Sequence, residues 1–262
     1  MKDETLAITR LPASSLDGCK LTYLTRTPVD PARVRAQHTA FRKVLAECGA
    51  RVITLEADEA RPDGVFVEDT AIVLDEVAII ASMGTYERRA ETPAVEEELA
   101  RHRSIEWIDT PALIEGGDVF RIGRTLYVGR TSRTDDAGIE ALRKSVTKYD
   151  YRVVPVKVEG CLHLKTGCTA LDEETILINP EWIDRSAFEG FSILPVPDAE
   201  PWGACALPVG RSVCLSAAYP LTERLVRDRG HRVVTTDITE LHKMEGGMTC
   251  LAIVFENGHQ RP

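Results

Sequence analysis

The chain has 262 residues, 44% of them hydrophobic and 28% charged, which is the balance of a globular protein long enough to bury a core. Its formal net charge is −9 and it contains no run of Lys or Arg, which argues against nucleic acid as a partner. We see no apolar stretch typical of a signal peptide or a membrane span, so we expect a cytoplasmic protein that does not bind membranes. The seven cysteines include no Cys-x-x-Cys pair and fit reduced thiols.

Five short apolar strands recur along the chain, and a helical stretch precedes most of them. The first stretch, residues 31–48, carries Val34, Phe41 and Leu45 at helical spacing and is followed by Gly49, a residue preferred just past a helix. Similar patterns predict helices at 93–102, 136–148 and 221–229, whereas the fourth stretch, 185–188, is too short to assign. The five strands are predicted at 51–55, 104–108, 152–156, 192–196 and 232–236.

Further strands follow each of these five. Hairpins with short polar turns are predicted at 71–74 with 77–80, 119–122 with 125–128, 169–171 with 175–178 and 205–209 with 212–215, and the strand 251–255 ends the series. The repeat is therefore helix, strand, connection and hairpin. Because no such unit can bury its own apolar face, we predict five units packed in a closed ring as one domain over residues 1–262. The alternative is an ordinary α/β sheet with fortuitously regular spacing.

Unusual polar residues occupy the connection in four of the five units. Each group lies just before the first strand of a hairpin: Phe66-Val67-Glu68-Asp69, Glu115-Gly116-Gly117-Asp118, His163-Leu164-Lys165 and Gly246-Gly247-Met248-Thr249-Cys250. In a ring of repeats the same position of every unit lies at the same end, so we expect the four groups to converge. The connection of the remaining unit, 200–204, carries no evident catalytic group.

The residue types in these connections fit the hydrolysis of a guanidinium. That group is planar and permanently cationic, with its charge delocalised over three nitrogens. Asp69 and Glu115 can hold it in plane. Cys250 can attack its carbon as a soft nucleophile, and His163 can protonate the departing amine. A cationic substrate or a protonated His163 would favour the thiolate by Coulomb attraction.

Each of these residues has a simpler interpretation when it is taken alone. Cys250 could be a small buried apolar residue, His163 a structural histidine, and Glu115 the cap of a turn. Cys161, His163 and Cys168 could suggest zinc, but no second cluster accompanies them, so we predict no metal and no cofactor. The other cysteines are interpreted as packing or surface thiols: Cys19, Cys48, Cys205 and Cys214. The shared place of the four groups in the repeat favours catalysis.

Several motifs resemble those of the dimethylarginine dimethylaminohydrolases in order and spacing. They are residues 62–69, Glu87-Arg88-Arg89, residues 115–118, Ser132-Arg133-Thr134, residues 162–167 and Cys250. The resemblance covers nearly the whole chain. It implies the fold of the guanidine-modifying pentein superfamily, a five-bladed α/β propeller with pseudo-fivefold ββαβ repeats. It also implies hydrolysis of dimethylarginine or monomethylarginine to citrulline and dimethylamine or methylamine.

The resemblance assigns a role to each catalytic residue. Cys250 would form a covalent thiouronium intermediate with the guanidinium carbon. His163 would protonate the leaving amine and then activate water, while Glu115 would orient His163 and bind the substrate. Asp69 would hold the guanidinium, with Glu68 nearby.

The resemblance also implies how the amino-acid end of the substrate is held. Arg88 and Arg133 would clamp the α-carboxylate, for which a guanidinium fork is well suited. Asp63 and the backbone near Leu21 would receive the α-ammonium, with Leu21 on a mobile lid over residues 17–28. The full substrate-binding set is then Leu21, Asp63, Phe66, Glu68, Asp69, Arg88 and Arg133. A small methylated arginine is the expected partner, and a homodimer is left open.

Lys165 distinguishes this chain from the related arginine deiminases, which carry an Asp at that position, and Glu68 replaces their usual Arg. Losing the Asp leaves one guanidinium nitrogen without a polar partner, which suits a methylated nitrogen. Two departures from the family are Glu245, where Asp is usual, and residues 201–204, which replace a run ending in Asn. The alternatives are an amidinotransferase, an arginine deiminase-like hydrolase of another guanidine, and a non-catalytic binding propeller like the ribosome anti-association factors.

Overall fold

The computed structural model describes residues 4–257, which form fifteen strands and six α-helices. The strands are β1 (Glu4–Arg10), β2 (Arg51–Leu55), β3 (Ala71–Val73), β4 (Val77–Ile80), β5 (Ser104–Trp107), β6 (Val119–Ile122), β7 (Thr125–Arg130), β8 (Arg152–Lys157), β9 (Cys168–Ala170), β10 (Thr175–Ile178), β11 (Ser192–Pro195), β12 (Leu207–Val209), β13 (Ser212–Ser216), β14 (Arg232–Thr236) and β15 (Ile253–Asn257). The helices are α1 (Pro31–Glu47), α2 (Thr92–Leu99), α3 (Asp136–Thr147), α4 (Leu164–Gly167), α5 (Pro220–Asp228) and α6 (Thr239–His242).

The strands form five three-stranded sheets of one design. Four sheets have the orders β3-β4-β5, β6-β7-β8, β9-β10-β11 and β12-β13-β14. In each of them the first two strands are an antiparallel hairpin and the third strand lies parallel to the second. A parallel neighbour needs a crossover, and it contains an α-helix in three of these sheets and a short 3-10 turn, Arg185–Phe188, between β10 and β11, which gives the ββαβ repeat.

The fifth sheet joins the two ends of the described chain. Its order is β15-β1-β2, with β1 antiparallel to β15 and parallel to β2. Strand β1 was missing from the sequence prediction, which assigned no strand before residue 51. Only five consecutive buried residues mark β1, and its partner, Ile253 opposite Ile8, lies at the far end of the chain. A local pattern cannot reveal such a pairing.

Local signals explain where the longest helix begins and ends. The Asp30 carboxylate accepts hydrogen bonds from the backbone N–H of Ala32 and Arg33, and Pro31 occupies the first helical turn of α1. Gly49 follows the helix with φ of 98°, a left-handed conformation that glycine adopts readily. The buried face of α1 includes the three residues of the predicted pattern, Val34, Phe41 and Leu45, together with His38.

The described residues group into two compact units. The first comprises residues 4–67 and 196–257 and contains the sheets β15-β1-β2 and β12-β13-β14. The second comprises residues 68–195 and contains the other three sheets. The single domain expected over residues 1–262 stays a prediction. Within residues 4–257 no helix combines the length and the apolar character needed to cross a bilayer.

A short helical turn precedes the first strand of every repeat by at most two intervening residues. The turns Pro201–Ala204 and Thr249–Leu251 belong to the first unit, Gly116–Asp118 and Leu164–Gly167 belong to the second, and Val67–Thr70 crosses the boundary after residue 67. These are the connections in which the sequence placed its candidate residues. Because a tight turn leads straight into a strand, the side chains at its start are held at the end of the sheet rather than on its faces.

Candidate active site

The second unit brings together three of the predicted residues in a buried group, which we call the His163 cluster: Asp69, Glu115 and His163. The His163 Nε2 lies 2.7 Å from Glu115 Oε2, and its Nδ1 lies 3.7 Å from Asp69 Oδ1. All three side chains are almost inaccessible to solvent. Each comes from the helical turn of a different sheet, so the repeat architecture places them side by side, as the sequence pattern predicted for this part of the set.

The glycines between Glu115 and Asp118 permit this close approach. A Cβ at Gly117 would lie 2.5 Å from Asp69 Oδ1 and 2.8 Å from the His163 ring. Both distances are too short for a real side chain. The Glu-Gly-Gly-Asp motif therefore carries a carboxylate into the cluster and at the same time leaves room for the imidazole and the neighbouring acid.

Charges decide the protonation state of the His163 cluster. Burial by itself would lower the pKa of His163, but the carboxylates of Asp69, Asp118 and Glu115 outweigh it and raise this pKa to about 9. Burial would likewise raise the pKa of Asp69, but the cationic His163 and Arg88 hold it below its ordinary value. The cluster thus contains a protonated imidazole at neutral pH, which is able to act as an acid.

Asp118 lies next to the His163 cluster, and the sequence analysis assigned no role to it. Its Oδ1 accepts the backbone N–H of Leu164 over 2.9 Å, and its Oδ2 accepts the hydroxyl of Thr131 over 2.7 Å. The first bond fixes the residue that follows His163 and so helps to set the direction of the imidazole. Burial raises the pKa of Asp118 to about 6. The sequence could have indicated a role for Asp118, because it is the second acidic residue of the Glu-Gly-Gly-Asp motif, three residues after Glu115.

Glu68 and Lys165 form an ion pair beside the cluster. The Lys165 Nζ lies 2.6 Å from Glu68 Oε1, and both side chains are largely buried, with exposures of 17% and 8%. The two residues that set this chain apart from the arginine deiminases therefore contact each other.

Arg88 lies in a buried network of carboxylates. Its Nη1 donates to Asp69 Oδ2 over 2.8 Å, and its Nε and Nη2 donate to Glu91, a residue that the sequence analysis did not single out. These bonds hold Asp69 in place and raise the pKa of Arg88 well above its ordinary value, although burial opposes the shift. The predicted contact of Arg88 and Arg133 with an α-carboxylate stays a prediction. The backbone of Arg133 packs against Gly84, whose N–H donates to Glu115.

In the first unit, Cys250 lies in a tight segment that we call the Cys250 loop, residues 245–251. The backbone N–H of Gly247 donates to Cys250 Sγ over 3.3 Å, and the sulfur is mostly buried. A sulfur that accepts an N–H is held in one direction and gains from carrying negative charge. Cys205 packs against the same loop: its Sγ is so near Gly247 that a Cβ at this glycine would lie 2.2 Å from it. The burial of Cys205 fits the interpretation as a packing thiol.

Three other predicted residues belong to the first unit: Leu21, which lies within the lid segment, residues 17–28, and Asp63 and Phe66. The Asp63 carboxylate accepts the backbone N–H of Lys20 over 3.1 Å, next to Leu21. Leu21 packs against the apolar core of this unit, which also contains Phe66. Gly246 of the Cys250 loop lies against the Phe66 ring, where a Cβ would come within 2.3 Å of it.

The donor atoms of the His163 cluster also lie close enough to share a metal ion, within 4.8 Å of one another. Both ring nitrogens of His163, however, already face carboxylates, Nε2 with Glu115 Oε2 at 2.7 Å and Nδ1 with Asp69 Oδ1 at 3.7 Å. We therefore interpret the three residues as an acid–base group, and the absence of a metal stays a prediction.

The five ββαβ sheets and their helical turns place the chain among the α/β propeller proteins. The chain is similar in structure to a solved dimethylarginine dimethylaminohydrolase from Pseudomonas aeruginosa, a mutant complexed with citrulline, with a TM-score of 0.92. The superposition covers 97% of this chain and all of that one, with 32% sequence identity. The predicted fold class, a five-bladed α/β propeller, is confirmed.

Sequence comparisons give the family. The family model described as N,N dimethylarginine dimethylhydrolase, eukaryotic, matches residues 26–190. The chain is 38% identical to the dimethylarginine dimethylaminohydrolase of Streptomyces coelicolor, over 94% of this chain and 95% of the relative. It is 33% identical to that of Pseudomonas aeruginosa, over 95% and 98%. The chain belongs to the dimethylarginine dimethylaminohydrolase family, as the resemblance in its motifs predicted.

Proposed function

We propose that this chain is an enzyme that hydrolyses Nω-methylated arginine, either dimethylarginine or monomethylarginine, to citrulline and dimethylamine or methylamine. The observation that carries the proposal is its identity of 33–38%, over nearly its whole length, to two dimethylarginine dimethylaminohydrolases. The buried His163 cluster supports it independently, since a protonated imidazole beside two carboxylates suits the release of an amine from a cation.

In the proposed reaction the thiolate of Cys250 attacks the guanidinium carbon. His163 gives its proton to the departing dimethylamine or methylamine, and the C–N bond breaks to leave a thiouronium on Cys250. The neutral His163 then takes a proton from water, whose oxygen attacks the same carbon. The C–S bond breaks to restore the thiolate while the imidazole stays protonated. The hydroxyl proton on the former guanidinium carbon passes to solvent, where the released amine takes it up, and neutral citrulline leaves.

The other residues hold the substrate during these steps. Asp69 is assigned to the guanidinium because its Oδ1 is buried and, within residues 4–257, makes no hydrogen bond. Glu115 holds the acid, and Glu68 lies next to Asp69 in sequence with its charge balanced by Lys165. Phe66 is assigned to the apolar side of the substrate. The remaining assignments, the α-carboxylate to Arg88 and Arg133 and the α-ammonium to Asp63 and Leu21, rest on the family resemblance.

A panel of three substrates tests the proposal. Asymmetric dimethylarginine, monomethylarginine and free arginine are offered separately, and citrulline and the released amine are measured by mass spectrometry. We expect dimethylamine and methylamine from the methylated substrates, and slower release of ammonia from arginine. Faster turnover of free arginine would contradict the specificity argument based on Lys165, and no turnover of either methylated substrate would exclude the proposed reaction.

We also infer a cytoplasmic location. All seven cysteines are free thiols, which fits a reducing compartment. The acidic balance of the chain, with a net charge of −9, supports a small cationic partner rather than nucleic acid or an anionic membrane. A homodimer stays an open prediction, which size-exclusion chromatography with light scattering tests.

A further inference from the structure

Glu245 occupies an unfavourable place in the backbone of the Cys250 loop. Its φ is 62°, in the left-handed region that glycine adopts without penalty and that larger residues avoid. Its side chain is nevertheless 7% exposed and points into the first unit. Strained conformations of this kind are kept where the side chain has a task, so the contacts of this carboxylate define what that task is.

One oxygen of Glu245 holds the lid segment. Its Oε1 accepts the backbone N–H groups of three consecutive residues, Thr22 at 2.9 Å, Tyr23 at 2.5 Å and Leu24 at 2.6 Å. Successive N–H groups that converge on one anion form a strong binding concavity. The other oxygen, Oε2, is buried and makes no hydrogen bond to any described residue. The carboxylate is therefore only half satisfied.

We propose that Glu245 is a positioning residue for the part of the substrate site that takes the α-ammonium. The inference rests on the proposed function, which assigns that ammonium to Asp63 and to the backbone near Leu21. Glu245 acts through the lid segment, because it binds the three residues that follow Leu21.

The geometry around Leu21 explains how this positioning works. On one side of Leu21, the N–H of Lys20 is bound by Asp63 over 3.1 Å. On the other side, the N–H of Thr22 is bound by Glu245 over 2.9 Å. The N–H of Thr22 and the carbonyl of Leu21 belong to one planar peptide group, so fixing this N–H gives the Leu21 carbonyl one direction. A substrate ammonium then meets a preformed acceptor instead of ordering the segment itself, which favours binding.

The length of the side chain matters in this arrangement. The family usually has an aspartate at this position, and the glutamate of this chain has one more methylene with which to reach the lid. Glu245→Asp therefore keeps the charge but shortens the reach, whereas Glu245→Gln keeps the length but removes the charge. The two variants separate the contribution of charge from that of distance, and the shorter one keeps the test available if the amide variant does not fold.

The kinetic test compares dimethylarginine with its analogue that lacks the α-amino group, 5-(N′,N′-dimethylguanidino)pentanoate. For Glu245→Gln we expect KM for dimethylarginine to rise by about 10-fold with kcat nearly unchanged, the loss typical of a charge-assisted contact. We expect a smaller rise for Glu245→Asp. KM for the analogue should change by less than about 2-fold in both variants, because the analogue has no ammonium to bind.

The matched control is Glu240→Gln. Glu240 is another buried carboxylate of the first unit that accepts a backbone N–H, from Asp30 over 3.0 Å, and no role in substrate binding is assigned to it. Its loss should alter stability but not the discrimination between the two substrates. Equal rises in KM for dimethylarginine and the analogue in the Glu245 variants would overturn the proposal, as would a fall in kcat with KM unchanged.

Amide hydrogen exchange tests the same contact without any turnover. In the wild-type protein we expect slow exchange at the amides of residues 22–24, and faster exchange in Glu245→Gln by about 10-fold or more. Unchanged exchange at these amides would overturn the proposal. Because this measurement needs no substrate, it separates a failure of the Glu245 proposal from a failure of the proposed reaction, which the release of amine by the wild-type protein decides.

Discussion

The substitution Glu115→Gln removes one negative charge from the His163 cluster and changes little of its shape. Glu115 binds His163 Nε2 through Oε2 at 2.7 Å and the N–H of Gly84 through Oε1 at 2.9 Å. A glutamine can keep the bond to Gly84 through its carbonyl oxygen, but it then turns its NH₂ group toward His163. Because a protonated imidazole and an amide NH₂ are both donors, the contact survives only when His163 gives up its proton.

The size of the effect follows from the pKa of His163. This pKa is about 9 in the folded protein against an ordinary value of 6.5, since three carboxylates outweigh the effect of burial. The difference corresponds to about 3 kcal/mol of stabilisation of the charged imidazole. Glu115 makes the hydrogen bond within this group, so we expect its loss to lower the pKa of His163 and to remove part of this stabilisation.

The direction of the pH dependence is fixed by the sign of this shift. Because the folded pKa of His163 is raised, its contribution to stability is fully present below pH 6.5 and is lost as the pH rises through about 9. In Glu115→Gln the loss begins at a lower pH. The same proton is needed by the leaving amine, so the alkaline limb of kcat/KM should move down with it.

Two measurements check this prediction: denaturant unfolding as a function of pH, and the pH profile of kcat/KM. The matched control is Glu98→Gln, which alters a second His–Glu pair on α2, with His102 Nε2 and Glu98 Oε1 3.1 Å apart. That variant should keep the alkaline limb of the wild-type protein. An alkaline limb that does not move in Glu115→Gln, or that moves equally in Glu98→Gln, would refute the reasoning.

Three further substitutions test other parts of the structure. Cys250→Ser should lower the turnover of dimethylarginine by about 10³-fold or more with an unchanged circular dichroism spectrum, and full turnover would exclude Cys250 as the nucleophile. Gly117→Ala puts a methyl group 2.5 Å from Asp69 Oδ1, so kcat/KM should fall by about 100-fold; wild-type kinetics would contradict the packing. Burial lowers the pKa of His38 to about 3. Between about pH 6.5 and pH 3 His38 is therefore protonated in the unfolded chain but not in the folded chain, and this difference lowers the stability of the folded protein in acid. His38→Leu should therefore unfold at lower pH than the wild-type protein in an acid titration, and an unchanged midpoint would count against this.

The sequence predicted most of the repeats because their signals are local. The strands 51–55 and 232–236 and the hairpin strands 77–80, 119–122 and 175–178 coincide with the observed bounds. The helix over 31–48 was also expected, since its apolar spacing and Gly49 lie within about twenty residues of one another. Strand β1 was missed because its neighbours in the sheet, β2 and β15, are distant in sequence.

The sequence by itself determined the five repeats, the place of the candidate residues in each repeat, and the family. These depend on periodicity, turns and motifs that are complete within a short stretch of chain. The tertiary structure alone decided the partners: Arg88 with Asp69 and Glu91, Lys165 with Glu68, and Glu245 with a lid segment more than 200 residues earlier. It also decided that His163 is a protonated acid at neutral pH. Hydrogen bonds and pKa values depend on burial and on distances through space, which spacing along the chain does not specify.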